Sequence, residues 1–370
     1  ATIREQVAIS KSIDNILKLE KTEDKNRVKI LLLGGADAGK STIVKQMRIL
    51  HMNGFSDDEI RSFYKFLRYN VFQIFHEIAL GVQENILKID EPEREIIKRF
   101  AEGVTYFMCI DEEKEVELLL DFIKLKCVQT FIDLNPNYSS LPDNADYYIP
   151  KLAELLSPKH TPSAEDILHL RIPTTSVSEI NFSFAASSIR LIDVGGQRTY
   201  RKKWIHCFDG VAAVLFVASM AAYDQKLDEA EVTIEPVLHE DIIPTAASAA
   251  KPVHLPNRLR DSAHLFCEML RSKFLLSSAF ILFMNKKDLF SKKLLSQPLG
   301  NFMKGYGGKT TEDACQFMKE YFLKRKSRKD KDRTIYGHFT CATDTKNVEF
   351  VFNAACDIVF NKNISKSGMQ

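Results

Sequence analysis

Residues 30–42 read ILLLGGADAGKST, and the fold of the chain turns on how that stretch divides. Ile30 to Leu33 is a short apolar run of the kind that forms a buried strand. It breaks into a glycine-rich turn from Gly34 to Ser41 with the spacing G-x-x-x-x-G-K-S. Ile43, Val44, Met47 and Leu50 then fall at helical spacing, so a helix with one buried face follows the turn. Such a loop curls its backbone N–H groups around phosphate oxygens, and the helix N-terminus adds partial positive charge. Lys40 then reaches the β- and γ-phosphates, and the Ser41 hydroxyl sits on Mg²⁺. A glycine turn followed by an exposed lysine is the plainer reading; the strand before and the helix after weigh against it.

The surrounding composition bounds what such a loop serves. At 370 residues the chain is too long for one small core, so two domains are expected. An apolar content of 45% beside 27% charged residues describes an ordinary globular protein. The net charge of +2 comes from interspersed charges, which argues against a nucleic-acid partner. Lys324 to Lys331, the densest basic run, is interrupted by Ser327 and Asp330 and reads as a solvated loop. Seven cysteines are scattered without a C-x-x-C pair, which suits a reducing cytosol. The longest apolar runs, Val211 to Ala222 and Phe274 to Met284, are too short to span a bilayer and suit buried strands. No signal peptide is visible.

In chain order, residues 1–26 place Ile9, Ile13, Ile16 and Leu17 on one helical face, a terminal helix that either packs on its own domain or waits for a partner. After the helix that follows the phosphate loop, a long interval precedes the next chemical motif, and its pattern is helical. Ser56 with Glu59 makes a capping box. Ile60, Phe63, Leu67, Val71, Ile74 and Ile78 form one apolar stripe, and Val116, Leu119, Leu120, Ile123 and Cys127 another. Residues 55–165 are therefore expected to form an inserted all-α domain, with residues 27–54 and 166–370 making up the nucleotide-binding domain.

Four further motifs follow. The stretch DILHLRIPTTS spans residues 166–176, and Pro173 discourages helix there. Ile189 to Ile192 reads as a buried strand ending in Asp193-Val194-Gly195-Gly196-Gln197. A carboxylate at such a strand end holds Mg²⁺ through water, a glycine N–H approaches the γ-phosphate unobstructed, and Gln197 is placed to orient an attacking water. Phe280 to Met284 is another apolar strand, ending in Asn285-Lys286-Lys287-Asp288. The Asp288 carboxylate only accepts hydrogen bonds, which matches the N1–H and N2–H donors of guanine and leaves adenine unpaired. Thr340-Cys341-Ala342-Thr343 offers a backbone N–H to guanine O6. A closing helix carries Val348, Val351, Phe352, Ala355 and Val359 at helical spacing.

Taken in order, LLLGGADAGKSTIVKQMRILH, DILHLRIPTTS, DVGGQRTYRKKWIHCF, FMNKKDLF and HFTCATDTKN resemble the α subunit of heterotrimeric G proteins, over nearly the whole chain from about Ser10. The resemblance implies an α/β fold: a Ras-like P-loop GTPase domain, mostly parallel sheet flanked by helices, with an inserted all-α helical domain over the nucleotide. It implies GTP or GDP as bound nucleotide with Mg²⁺. Lys40 holds the phosphates, Ser41 and Thr174 bind the metal, Asp193 supports it through water, and Gly196 contacts the γ-phosphate. Arg171 resembles an arginine finger supplied in cis and Gln197 the water-orienting glutamine; with Lys40 these are the catalytic candidates. Further nucleotide contacts fall on Gly35, Ala36, Asp37, Ala38, Gly39, Thr42, Leu168, His169 and Leu170, and on Asn285, Lys286, Asp288 and Ala342 at the base. Arg198 to Phe208, basic with Trp204, Ile205 and Phe208 interleaved, is similar to the switch helix gripped by βγ and effectors. The implied partners are a βγ dimer, a receptor, effectors and GTPase-accelerating proteins, at the cytoplasmic face of the plasma membrane or in the cytoplasm.

The chain departs from the family pattern in places. The family has GAGESGKS where this chain has GGADAGKS. Ala36 therefore puts a Cβ beside the γ-phosphate, where it crowds Gln197 and Arg171, and Asp37 is one methylene shorter than the usual Glu. Slowed hydrolysis with intact binding is the expectation. An insertion at about 229–257 contains Pro236, Pro244, Pro252, Pro256 and the run TAASAA, a composition that favours a disordered surface loop; it is either passive length or adjusts partner choice. Residue 1 is Ala, no glycine is positioned for myristoylation, and no cysteine precedes Cys109. Membrane association then comes through partners or through an N-terminal lipid missing from a truncated start. Ser367 replaces the cysteine of the inhibitory class, and Leu125 stands where relatives often place an aspartate facing the GTPase domain, which implies weaker interdomain contact. Two functional readings follow: a GTP-hydrolysing switch, favoured by Arg171 and Gln197, and a poorly hydrolysing nucleotide-dependent scaffold, favoured by Ala36. A P-loop kinase or ATPase is disfavoured by Asn285 to Asp288.

Overall fold

The computed structural model describes residues 27–85, 89–102, 112–135, 141–157, 159–185, 187–225, 257–325 and 333–367. The N-terminal segment 1–26, the tail 368–370 and all but the last residue of the 229–257 insertion lie outside them.

Six strands form one sheet in the order β2-β3-β1-β4-β5-β6: β1 Arg27–Leu33, β2 Ser178–Phe184, β3 Ser187–Asp193, β4 Ala213–Ser219, β5 Ala279–Asn285 and β6 Ile335–Phe339. Only β2 runs antiparallel, as a hairpin with β3; the other pairings are parallel. Alternation along β1 feeds two cores. Ile30 and Leu32 pack on one face of the sheet, with Ile43 and Met47 of helix α1 (Lys40–His51). Leu31 and Leu33 pack on the other, against Trp204 and Phe216. Helices cover both faces, which is why the buried part of β1, Ile30 to Leu33, reads with β4 and β5 as a continuous apolar run rather than an alternating one.

The described residues of the long interval after α1 are largely helical. Helices α2 (Asp57–Asn85), α3 (Glu91–Ala101), α4 (Glu112–Lys124) and α5 (Lys126–Leu134) enclose a separate core. Phe75, Phe100 and Phe122 cluster at its centre, Phe75 stacked on Phe122 and Phe100 tilted against Phe122 with ring centroids 4.1 Å apart. The capping box at the start of α2 forms, the Ser56 N–H donating to the Glu59 carboxylate at 2.9 Å. Leu125 packs into this core, since an apolar side chain gains more there than at a polar domain boundary. The chain then returns through α6 (Ala164–His169), itself capped by a Ser163–Asp166 box. It continues through α7 (Arg258–Arg271), α8 (Lys287–Lys293), α9 (Thr311–Leu323) and α10 (Thr345–Ser367). In α10, Val348, Val351, Phe352, Ala355 and Val359 are all buried.

The parallel order fixes where chemistry can sit. The loops leaving the C-terminal ends of β1, β3, β5 and β6 all emerge at one edge of the sheet, where open α/β sheets bind ligands. These four loops, with the segment that runs into the start of antiparallel β2 at the same edge, carry the sequence motifs.

Candidate functional site

At that edge lies a cleft of about 880 Å³, walled on one side by the sheet loops and on the other by residues of the helical segment. Its phosphate end is built by the turn after β1. Gly39 has φ 99°, and a Cβ there would lie 2.2 Å from Asn285 Nδ2, so only glycine lets the loop pass that close. Lys40, only 5% exposed, donates to the Gly34 and Gly35 carbonyls at 3.1 and 2.8 Å. Burial draws its pKa down to about 8, against the opposing pull of Asp193 and Asp37. An ammonium buried on two neutral carbonyls is under-compensated, and an anionic phosphate is the chemistry that restores the balance. Gly196 crowds the same spot, because a Cβ there would lie 2.3 Å from Lys40 Nζ and 2.4 Å from the Gly35 carbonyl oxygen.

Beside Lys40 three oxygen-bearing side chains converge from three motifs. Ser41 Oγ lies 2.7 Å from Thr174 Oγ1 and donates to Asp193 Oδ2 at 2.7 Å. The second Asp193 oxygen, Oδ1, is buried with no hydrogen-bond partner. Burial raises the Asp193 pKa, with Lys40 and the Ser41 hydroxyl opposing. A carboxylate oxygen left bare in the interior asks for a cation. The hard oxygen set of two hydroxyls and one carboxylate fits Mg²⁺, which takes few protein ligands and keeps substrate phosphates and waters. Among the described residues no cluster of three or more His, Cys, Asp or Glu forms an alternative metal cage.

The candidate catalytic pair flanks this end. Arg171 makes a bidentate contact with Asp37, Nε to Oδ1 at 2.9 Å and Nη2 to Oδ2 at 2.6 Å. Arg258 adds a third contact on Asp37 Oδ2 at 2.9 Å. Asp37 itself sits at φ 55°, in the left-handed region that Asp tolerates better than most side chains. Burial alone would raise its carboxyl, but Arg171, Lys286 and Arg258 together hold it down at about 2. Asp37 therefore reaches the arginine despite its missing methylene. Gln197 is exposed and lines the cleft, immediately before a helical turn at Arg198–Arg201. Arg198 and Arg201 both close on Asp261, and Arg201 also donates to the Gly196 carbonyl at 3.2 Å.

Residues 198–208 are not one helix; the turn gives way to a 3-10 segment at Trp204–Cys207. Trp204 is fully buried and donates its indole N–H to the Gly195 carbonyl at 3.0 Å. Phe208 is buried too, so of the three apolar side chains in this segment only Ile205, 41% exposed, faces out.

At the other end of the cleft Asn285 is 1% exposed and ties two loops together. It donates to the Ala38 carbonyl at 2.8 Å and accepts from Thr340 Oγ1 at 3.1 Å and the Ala342 N–H at 3.0 Å. Of the stretch Thr340 to Thr343, read from sequence as offering a backbone N–H to guanine O6, the Ala342 N–H is thus engaged by Asn285, while Ala342 still lines the cleft. Asp288 stands in the first turn of α8 with its carboxylate at the cleft wall. Lys286, at φ 60°, pairs with Asp143 of the helical segment. Burial pushes the Asp143 carboxyl up, but Lys286 outweighs it and holds it below the usual range.

The cleft gathers Ala36, Asp37, Ala38, Gly39, Lys40, Ser41 and Thr42 with Leu168, His169, Leu170, Arg171 and Thr174. Gly196, Gln197, Asn285, Lys286, Asp288 and Ala342 line it as well. Gly35 lies just behind, accepting from Lys40, and Asp193 is reached through Ser41. Sequence reading missed the opposite wall. Asp143, Asn144 and Tyr147 line it, with Asn144 donating to Asn70 Oδ1 at 2.9 Å and to the His169 carbonyl at 3.1 Å. Tyr147 stacks on His169 at 3.8 Å between ring centroids. Lys292–Asp146, at 3.4 Å, adds an exposed bridge. One signal for this wall was available: Asn70, an amide set directly beside Val71 in the apolar stripe of α2.

Comparison with known proteins agrees with this geometry. The family model described as G-protein alpha subunit matches residues 7–359. The chain is 34% identical to "Guanine nucleotide-binding protein alpha-5 subunit" of Caenorhabditis briggsae, over 99% of this chain and 98% of that protein. The protein of the same name from Caenorhabditis elegans is 33% identical over the same shares. With the loop after β1, the Ser41, Thr174 and Asp193 oxygens and the loop after β5 meeting at one cleft, the chain belongs to the G-protein α-subunit family.

Proposed function

We propose that this chain binds GTP and GDP in the cleft, hydrolyses GTP to GDP and phosphate, and works as the α subunit of a heterotrimeric signalling switch. The observation that carries the reading is the meeting of five motifs, remote in sequence, around one cleft with a cationic phosphate end and an acceptor at the base end. Lys40 and the loop from Gly35 to Thr42 grip the phosphates. Ser41, Thr174 and, through water, Asp193 hold Mg²⁺, which when bound neutralises charge on the phosphate oxygens. Asp288 accepts from guanine N1–H and N2–H, with Asn285, Lys286 and Ala342 completing the base pocket. Leu168, His169 and Leu170 lie along the nucleotide on the side of the helical domain, residues 55–165.

Hydrolysis places a water opposite the leaving β-phosphate oxygen, forming one P–O bond as the other breaks. Gln197 orients that water through its amide, and the Arg171 guanidinium and Lys40 ammonium meet the charge spread over the transferring phosphoryl. Loss of the γ-phosphate releases Gly196 and Thr174 together, which is the switch. Partners follow from the family: a βγ dimer, a receptor, effectors and GTPase-accelerating proteins, at the cytoplasmic face of the plasma membrane.

Single-turnover hydrolysis of GTP tests the reading, with excess ATP as competitor. Turnover that ATP leaves intact and that Arg171→Ala and Gln197→Leu each slow by about 100-fold or more, to a residual rate, supports it; turnover blocked by ATP refutes the guanine assignment. A second reading rests on the Asp37 hold on Arg171, which engages the finger away from a phosphate. On that account the chain is a nucleotide-dependent scaffold, and it would bind GTPγS stoichiometrically without releasing phosphate from GTP.

A further inference from the structure

The loop that carries Arg171 and Thr174 has no regular secondary structure of its own from Arg171 to Val177, yet both side chains must be set against the phosphates. Two side chains from opposite sides of the cleft supply what the loop lacks. Lys45, on α1, donates its ammonium to the Ile167 carbonyl at 2.9 Å and the Leu170 carbonyl at 2.7 Å. Leu170 is the residue immediately before Arg171. Asn70, on α2, accepts from the Arg171 N–H at 2.7 Å and donates to the Arg171 carbonyl at 3.0 Å. Both backbone groups of Arg171 are thereby engaged by one amide, as a neighbouring strand would engage them.

Neither side chain is placed for bland reasons. Asn70 is 1% exposed in the midst of an apolar stripe, and a hydrophobic residue would serve that core better unless the amide's bonds were needed. Its oxygen also accepts from Asn144, so the amide's orientation is itself held. Burial draws the Lys45 pKa down to about 7, a penalty that an exposed lysine on the same helix would escape.

The position of Lys45 on α1 gives the arrangement its consequence. The same helix begins with Lys40 and Ser41, the phosphate and metal groups. Lys45 lies five residue steps along the α-helix from Lys40, a rise of about 7.5 Å in a rigid rod. The helix that holds the phosphates therefore also gauges where the Arg171 loop starts.

We infer that Lys45 and Asn70 are positioning residues for hydrolysis, acting through Arg171: one braces its loop from the GTPase side and the other from the helical side. This rests on the hydrolytic reading above. The test is a double-mutant cycle on the full chain, read by single-turnover GTP hydrolysis after GTPγS binding has shown that each variant holds nucleotide. Lys45→Met should slow hydrolysis about 10- to 100-fold, the loss expected for a small displacement of a charge-stabilising group, and Asn70→Ala should do the same. Lys45→Arg, which keeps donors and charge, should stay within about threefold of the parent. In an Arg171→Ala background, Lys45→Met should change the residual rate by less than about twofold, because the group it positions is gone.

Equal fold-losses in both backgrounds would make Lys45 a general structural residue and overturn the inference, as would an unchanged rate in Lys45→Met. Should Lys45→Met fail to bind GTPγS, the same cycle with Asn70→Ser decides by the same criteria. A parent chain that binds GTPγS but releases no phosphate overturns the hydrolytic reading and this inference with it. A parent that turns over while both variants match it overturns this inference alone.

Discussion

Replacing Asp37 by Asn should accelerate GDP release about fivefold. Asp37 is on the phosphate loop and Arg171 on the loop that leads to the helical segment, so their bidentate contact closes the cleft from above. The carboxyl is held down to about 2 from an ordinary 3.8, a displacement worth about 2 kcal/mol in favour of its charged form. That gain is shared among Arg171, Lys286 and Arg258. Arg258 and Lys286 stay on the nucleotide-binding side when the cleft opens, so only the Arg171 part is lost. About half, near 1 kcal/mol, is a reasonable share once the 44% exposure of the Arg171 side chain is discounted for solvent screening. Such a loss corresponds to a factor of about five. Asn keeps the shape and one acceptor, so the change isolates the charge.

The assay is dissociation of a fluorescent GDP analogue chased with excess GDP, at low and high salt. Because the pair is partly exposed, raising ionic strength should speed release from the parent and shrink the gap to the variant. The pH sign is also determined. A carboxyl whose pKa is lower in the folded state contributes stability that is fully present above 3.8 and is lost as pH falls through about 2. Between pH 6 and 8 the Asp37 contribution should therefore be flat. Release unchanged within about twofold at low salt, or an acceleration that grows with salt, would refute the assigned role of the pair.

Other expectations follow from single contacts. Ala36→Gly should raise the single-turnover hydrolysis rate with little change in GTPγS affinity, and no acceleration would remove Ala36 as the slowing element. Asp288→Ala leaves the guanine N1–H and N2–H donors without their acceptor, so competition binding should show a loss of GDP affinity of at least about tenfold. A Cβ at position 81 would lie 2.3 Å from Phe131 Cζ, so Gly81→Ala should destabilise the helical core by about 1–3 kcal/mol in a thermal melt. Trp204, the single tryptophan, is bonded to the Gly195 carbonyl next to Gly196. Its emission should change on exchanging GDP for GTPγS and return at the hydrolysis rate with GTP; a silent tryptophan would place it outside the switch.

Much of the fold is legible because its signals are local. The apolar runs at Ile30 to Leu33, β4 and β5 announce buried strands, whose parallel order the family resemblance implies, and the stripe through Leu67, Val71, Ile74 and Ile78 announces α2. The sheet side of the site is legible for a different reason. Phosphate, metal and guanine recognition each demand particular groups at short spacing, so Lys40 and Ser41, or Asn285 and Asp288, travel as motifs. The helical side demands no such spacing. Asp143 and Asn144 line the cleft from one turn and Asn70 meets Asn144 from α2, and that meeting is a property of packing, which leaves only the faint mark of polar side chains in apolar company. The orientation of Trp204 is invisible for a related reason. A basic segment with interleaved apolar residues does not say which of them point inward, and the Gly195 carbonyl that receives the indole N–H is brought there by the turn after β3.

The same distinction separates the two unusual residues of the phosphate loop. A shorter side chain at Asp37 looks in sequence like a lost reach toward Arg171. The loop instead carries Asp37 at φ 55° and both carboxylate oxygens arrive within 2.9 Å of the guanidinium, so backbone placement makes up for the absent methylene. Reach is then not what limits Arg171; the strength of the hold is. Since Asp37 must release the guanidinium before it can meet a phosphoryl group, a tight Asp37–Arg171 pair and a crowding Ala36 Cβ would both slow hydrolysis, but by different routes. The pair acts through charge and yields to salt, whereas the Cβ acts through volume and does not. Measuring the Ala36→Gly and Asp37→Asn rates across ionic strength therefore assigns any slowness to one residue or the other. A salt-dependent rate that Ala36→Gly leaves unchanged points to the clasp, and a salt-independent rate that it relieves points to the methyl group.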